Sequence, residues 1–339
     1  MIYILLLIIN LLRLPLTSLS TSIPPPTSIV IVGAGPSGLT SALTLRTLFP
    51  STSITILDSS PDPSAYDPTR SFLYLLDKRG RKWTDKYVTP STSYVQIKDI
   101  GIPSEDFRLS ILDLSYAKPP ISLPIVDSDS RRSSTPYWIQ RGHLVKLLSN
   151  LLPPSITHHN NVTLKGISKC EGGYKLTCKV ENGGECQFNA DFIVGADGVN
   201  SAVRRLAFPN EGRTRVLKSP AGGLQFKALQ VKNDFSGYNE THETHLDMAY
   251  AVRPALRGDM DQLRLGILPV LPGASEVLNV TVPNSRPASV ITRPTHDITR
   301  ADTGKKVEGL MRDNFPFLNW DTGGVVEEGE FERFAKVRR

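Results

Sequence analysis

The sequence predicts an α/β fold: a doubly wound parallel sheet carrying a β-meander, joined to a second sheet that is mostly antiparallel. Three observations predict it. Residues 28–45 read SIVIVGAGPSGLTSALTL, a short apolar run that opens through three glycines into an apolar helical pattern. Residues 162–188 alternate apolar and polar positions in three runs separated by EGG and NGG, the pattern of strands joined by tight turns. Beyond Ala207, strand-like runs follow one another without helical patterns between them, as in an antiparallel sheet.

A chain of 339 residues buries a large core and has length enough for two domains. Its 40% hydrophobic and 21% charged residues are ordinary for a globular enzyme. The net charge of +6 suits anionic ligands but gives no nucleic-acid signature. The densest basic run, KRGRK at 78–82, has no interleaved aromatic platform and reads as a solvated helix start. Cys170, Cys178 and Cys186 are evenly spaced and lack the paired spacing of a zinc site. In THETH at 241–245 the histidines stand three apart, not four, which excludes the zinc-protease pattern. No metal site is expected.

Taken in order, residues 1–12 are nearly all apolar, Arg13 interrupts them, and 17–28 are rich in Ser, Thr and Pro. No acidic residue precedes Asp58. Residues 1–27 therefore read as a targeting or anchor segment. Membrane association through residues 1–16 and an organellar or endomembrane location are the matching expectations. Sequons at Asn161, Asn239 and Asn279 would matter only on the secretory path.

Residues 29–32 form a strand buried on both faces. Gly33 then makes a tight turn, Gly35 lets the backbone approach a pyrophosphate, and Gly38 lets helix and strand pack closely. With Ser37 they place an anion site at the N-terminus of a helix. A second apolar run, ITIL at 54–57, ends in Asp58, whose carboxylate is placed to accept from the hydroxyls of an adenosine ribose. A proline-and-aspartate loop covers 59–69, a strand 72–76, and a helix starts at Lys82. Residues 111–136 read as irregular or hairpin structure. YWIQRGHLVKLL at 137–148 reads as a strand entering a helix with Leu144, Leu147, Leu148 and Leu151 on its apolar side. After the meander, FIV at 192–194 opens into GADGVNSAVRR at 195–205. Strands are expected at 224–231, 248–252, 263–270 and 277–282, and a helix at 303–315. The domains follow: 28–207, with an insertion at about 85–136; 208–302; and 303–339 as an incomplete return to the first.

This ordered set of motifs resembles the FAD-dependent aromatic-ring (class A) monooxygenases of the p-hydroxybenzoate hydroxylase type, with the kynurenine 3-monooxygenases nearest. The resemblance rests on four places. They are the glycine fingerprint with Asp58; Arg70-Ser71 leading a strand that ends in Arg79-Gly80; Arg141 with Leu144 and Leu148; and DFIVGADG at 191–198 followed by Asn200, Ser201 and Arg204. It implies an FAD-binding domain in which Gly33, Gly35, Ser37, Gly38 and Asp58 hold the ADP half. It also implies that Arg70 and Arg141 approach the flavin or its pyrophosphate. Ile167 would face the adenine, and Asp197 and Gly198 would lie near flavin and NADPH. The antiparallel sheet becomes the side that takes a small aromatic substrate. By the same resemblance NADPH reduces the flavin, O2 adds to form a flavin hydroperoxide, and one oxygen passes to the ring. No acid, base or nucleophile of the protein is singled out as catalytic.

The family's later glycine-aspartate motif is missing, since Gly258-Asp259 falls among the sheet strands. A truncated chain that does not turn over as given is the corresponding expectation. A reductase or epoxidase of the same fold acting on a lipid, and a non-catalytic flavin-binding remnant, stand as alternatives.

Overall fold

A computed structural model describes residues 24–69, 72–88, 95–104, 108–112, 121–122, 135–209, 224–235, 245–255, 263–271, 273–279, 284–292, 296–321 and 324–337. The expectations for residues 1–23, for Arg70 and for the sequon at Asn239 lie outside the described residues.

The first sheet grows from β1 (Ser28–Val32), which leads through the glycines into α1 (Pro36–Leu48) and on to β2 (Ser53–Leu57). With β8 (Ile156–His159) and β12 (Phe192–Gly195) it forms a parallel sheet in the order β12-β1-β2-β8. Alternation decides what each face meets. Ile29, Ile31, Ile54 and Ile56 point toward α1 and α4 (Arg141–Asn150), where Leu39, Ala42, Leu144, Leu147 and Leu148 complete one core. Val30, Val32 and Leu57 point the other way, toward the meander of β9 (Val162–Cys170), β10 (Gly173–Val180) and β11 (Glu185–Ala190). Each such side chain removed from water contributes about 1.5–3 kcal/mol. The unbroken apolar run of β1 is thus a consequence of burial on both sides.

The second sheet has the order β13-β16-β15-β14-β5-β6. Its strands are β13 (Gln225–Lys232), β16 (Ser285–Thr292), β15 (Arg264–Ile267), β14 (Met248–Val252), β5 (Arg108–Leu112) and β6 (Ile121–Ser122). Every pairing is antiparallel except β14 with β5. The insertion therefore lends this sheet a hairpin, β5 and β6. Leu229, Val231, Tyr250, Leu265, Ile267, Ala288 and Val290 share one face. That face packs against α7 (Gly304–Asn314) and α8 (Glu330–Lys336) through Val307, Met311 and Phe334, and against the segment after α7 through Phe315 and Trp320. Residues 304–336, expected to begin a return to the first domain, are instead part of this second core.

A small sheet of β3 (Leu73–Leu76), β7 (Tyr137–Gln140) and β4 (Gly101–Pro103) packs on the first core through Tyr74, Leu76, Tyr137 and Ile139, and β3 is followed in sequence by α2 (Lys78–Tyr87). Short helices α3 (Ile97–Ile100), α5 (Ala202–Ala207) and α6 (Ala274–Leu278) complete the elements used below.

Three further expectations are corrected. Helix α2 begins at Lys78, not Lys82, because Asp77 caps it, accepting from the N–H groups of Arg79 and Gly80 at 3.1 and 2.9 Å. The strand expected at 277–282 is in its described part the end of α6. Ala274 and Leu278, four apart, are both buried while Val277 is exposed, so the period is helical and not two. The strand that joins the sheet there is β16, which starts at Ser285. The strand expected at 263–270 spans only 264–267. Among the described residues no helix is long and apolar enough to cross a membrane, and no group of metal-ligating side chains gathers.

Where α4 meets α6, His143 is 2% exposed and its Nε2 lies 3.2 Å from the Ser275 hydroxyl. Burial pulls its pKa from 6.5 down to about 4. The unfolded chain takes up this proton near pH 6.5 and the fold only near 4. His143 therefore leaves stability intact above about pH 6.5, and as pH falls to about 4 it removes about 3 kcal/mol. Urea midpoints of wild type and His143→Gln between pH 7 and 4 are expected to converge as pH falls. Parallel pH profiles would mean that His143 protonates in the fold without penalty.

Candidate nucleotide site

The site forms where β1 ends. The strand neighbours of β1 are β2 on one side and β12 on the other, so the connections leave in opposite directions and open a crevice at the carboxyl ends of the strands. Backbone hydrogen bonds close its floor: Gly33 N–H donates to Leu57 O at 2.7 Å, and Ala196 N–H donates to Val32 O at 2.8 Å. The glycine fingerprint and the GADG motif, over 160 residues apart in sequence, thereby become one structure. A Cβ on Gly33, whose φ is +105°, would lie 2.4 Å from Ala196 O. A Cβ on Gly38 would lie 1.8 Å from Gly33 O.

Gly35 differs from both. It is the N-cap of α1, no side chain caps the helix there, and a Cβ on it would meet nothing within 4 Å. No acidic residue stands in the first turn. The first-turn N–H groups and the positive end of the helix dipole therefore face open space, beside an exposed Ser37. That arrangement fits the pyrophosphate of a dinucleotide.

Asp58 stands at the lip of this crevice. Its Oδ2 accepts from Ala34 N–H at 2.6 Å and its Oδ1 from Ser60 N–H at 2.7 Å. The carboxylate thus pins the glycine loop, a backbone role that sequence reading did not anticipate. An ionised carboxylate has about four acceptor positions, so capacity remains for ribose hydroxyls. The ADP half of FAD fits these residues.

The other expected residues are placed as follows. Asp197 turns its side chain to the start of α5, accepting from Ser201 Oγ at 2.6 Å and from the N–H groups of Ala202 and Val203 at 2.5 and 3.0 Å. What the motif offers the crevice is main chain, including Gly198 at φ +82° with open space around it. Arg141 opens α4 and donates to Pro63 O at 3.3 Å, holding the loop that follows Asp58. Ile167 lies opposite Leu176 in the meander and packs against the core beneath it.

One feature had no signal in the sequence. Gln230 on β13 is 9% exposed and joins the two sheets. Tyr66 donates its hydroxyl to Gln230 Oε1, and Gln230 Nε2 donates to Pro68 O at 3.0 Å. Gln230 N–H donates to Glu330 Oε1 at 2.6 Å, and Glu330 is paired with Arg333 at 2.6 Å. The loop 59–69 is therefore held by Asp58 and Arg141 at one end and by the antiparallel sheet at the other. Partners this distant in sequence leave no local pattern.

The family model described as FAD binding domain matches residues 154–267. No curated protein matches the chain in sequence. Among solved structures it is similar to the flavin-dependent monooxygenase PieE in complex with FAD and substrate, with TM-score 0.60 and 16% identity over 86% of this chain. It is also similar to p-nitrophenol 4-monooxygenase PnpA from Pseudomonas putida DLL-E4, with TM-score 0.54 and 15% identity over 87%. A third is a flavoprotein/dehydrogenase from Cytophaga hutchinsonii, with TM-score 0.54 and 13% identity over 85%. The chain spans 48%, 64% and 61% of those proteins' lengths, respectively. At such identities the likeness establishes the fold: a parallel sheet with meander of the FAD-binding type, joined to a mostly antiparallel sheet.

Proposed function

We propose that this chain carries the FAD site of an NADPH-dependent monooxygenase that places one oxygen atom of O2 on a small aromatic molecule. The observation that carries the reading is the open, uncapped N-terminus of α1 at Gly35, flanked by Asp58 and by the GADG backbone. The amides of α1 hold the pyrophosphate, and Asp58 accepts from the adenosine ribose while keeping the loop in place. When bound, FAD supplies two-electron chemistry, taking electrons from NADPH and activating dioxygen for transfer. The chain's own part is to bind, orient and exclude water. The second sheet bears on this: the face away from α7 carries the small residues Ala228, Ala249, Ala251, Gly266 and Ser289 beside the larger Phe226 and Ile291, and a Cβ on Gly266 would meet nothing within 4 Å. Gln230 lies on that same face and ties it to the loop below the nucleotide.

The test titrates the purified chain with FAD by flavin fluorescence, then adds NADPH and a panel of aromatic acids that includes kynurenine. NADPH oxidation coupled to hydroxylated product supports the reading. FAD binding without NADPH oxidation agrees both with a chain that does not turn over as given and with a non-catalytic flavin-binding protein, and oxidation stimulated by lipids alone would favour a reductase or epoxidase. Asp58→Ala is expected to weaken FAD binding by about 1–3 kcal/mol, the worth of charge-assisted hydrogen bonds. Unchanged retention of flavin would reduce Asp58 to its backbone role.

A further inference from the structure

We infer that Cys178 and Cys186 form a dithiol site that hydrogen peroxide closes to a disulfide across the meander. The two residues stand directly opposite each other in the antiparallel pair β10–β11, so their side chains leave the same face side by side. Directly opposed Cβ atoms lie about 4.5–5.5 Å apart, and a disulfide needs about 3.5–4.5 Å. The remaining approach is within reach of a local change in twist. The register of β10 against its other neighbour, β9, shifts between Thr177 and Cys178, and such an irregularity adds twist and compliance where the sulfur sits. All three cysteines of the chain are free.

The environments of the two sulfurs divide the chemistry between them. Cys178 is fully buried against Val30, Val32 and Leu57 of the parallel sheet, while Cys186 is half-buried at the margin of the same cluster. Burial, with a smaller contribution from the Cys186 sulfur, pushes the Cys178 thiol up to about 11. Cys186 is therefore the sulfur that attacks. Its thiolate takes one oxygen of the peroxide as the O–O bond breaks, giving a sulfenic acid and a hydroxide that becomes water. The Cys178 sulfur then displaces the sulfenic oxygen, and its proton leaves with that oxygen as a second water. Two thiols lose two electrons in all and the peroxide gains them. A bridge that must draw two strands together is strained and readily reduced, the behaviour of a reversible site and not of a permanent staple. Cys170, exposed at the end of β9 opposite Gly173, serves as the internal control.

The test treats the reduced full chain with one equivalent of hydrogen peroxide, alkylates free thiols in denaturant, and maps the peptides by mass spectrometry. A 178–186 linkage, loss of two free thiols with Cys170 still alkylated, and reversal by dithiothreitol are expected. Cys186→Ser should abolish the linkage and leave Cys178 a free thiol, because the buried sulfur does not react alone. Alkylation of both cysteines, a link to Cys170, or Cys186 driven to sulfinic acid beside an intact Cys178 would overturn the inference. Because the readout is covalent, it stands whether or not the chain turns over a substrate.

Discussion

Gly38→Ala is expected to abolish the fold around the nucleotide crevice. The added Cβ would sit 1.8 Å from the carbonyl oxygen of Gly33 and 3.4 Å from the Ala196 side chain. No rotamer relieves such a clash, since the obstacle is backbone. Relief means lifting α1 off β1, which breaks the contacts of Leu39 and Ala42 with the first core. The cost should exceed about 4 kcal/mol, in the range reserved for severe single substitutions. Thermal unfolding or recovery in the soluble fraction checks it. A variant that melts with wild type would show that α1 and the glycine loop are not packed as described. The fingerprint's first and third glycines thus answer to packing against the chain itself, and only Gly35 faces outward.

Arg286→Ala is the second large loss, expected at roughly 3–5 kcal/mol, whereas Arg286→Met should be neutral or stabilising. Arg286 is 0% exposed within the second core. Its Nη1 donates to the carbonyls of His245 and Met248 at 2.9 and 3.4 Å. The guanidinium lies 4.8 and 5.1 Å from the ring centroids of Phe235 and Tyr250. Its Nε and second terminal nitrogen have no hydrogen-bond partner among the described residues. Burial pulls its pKa down to about 10, so the charge persists at neutral pH while only partly compensated. Alanine would lose the contacts with both rings and leave a cavity. Methionine would fill most of that volume without bringing a charge inside. Urea midpoints of the three proteins decide the matter; Met as damaging as Ala would show that the cation–ring and carbonyl contacts outweigh desolvation.

The parts of this fold that were legible in the sequence are those whose cause is local. Residues 28–58 announce themselves because a doubly buried strand, a turn that needs positive φ and a helix start must be written contiguously. The meander is legible for the same reason, through alternation and glycine turns. Residues 277–282 misled because one helical turn and a short strand look alike in so brief an apolar run. Only the burial of Ala274 with Leu278 separates them. Asp58 was legible as a carboxylate after a strand, but its grip on Ala34 N–H was not. Nor was the grip of Asp197 on the start of α5, where a residue expected at the cofactor spends one oxygen on the Ser201 hydroxyl and the other on two backbone N–H groups. The joint made by Tyr66, Gln230 and Glu330 depends on three segments meeting in space and has no sequence pattern at all.

The central claim is that the open N-terminus of α1 receives the pyrophosphate of FAD, and Gly35→Val tests it most directly. Gly35 has φ −74° and ψ −179°, which any residue adopts, and its Cβ direction is empty. The substitution should cost the fold about 1 kcal/mol, as a poorer N-cap, and leave the circular dichroism spectrum unchanged. The measurement is the FAD dissociation constant of this variant against wild type, by quenching of flavin fluorescence. The valine side chain would occupy the phosphate position, so FAD affinity should fall by at least about 100-fold, a loss near 3 kcal/mol. Equal affinity in a correctly folded Gly35→Val protein would contradict the account and move the nucleotide away from α1.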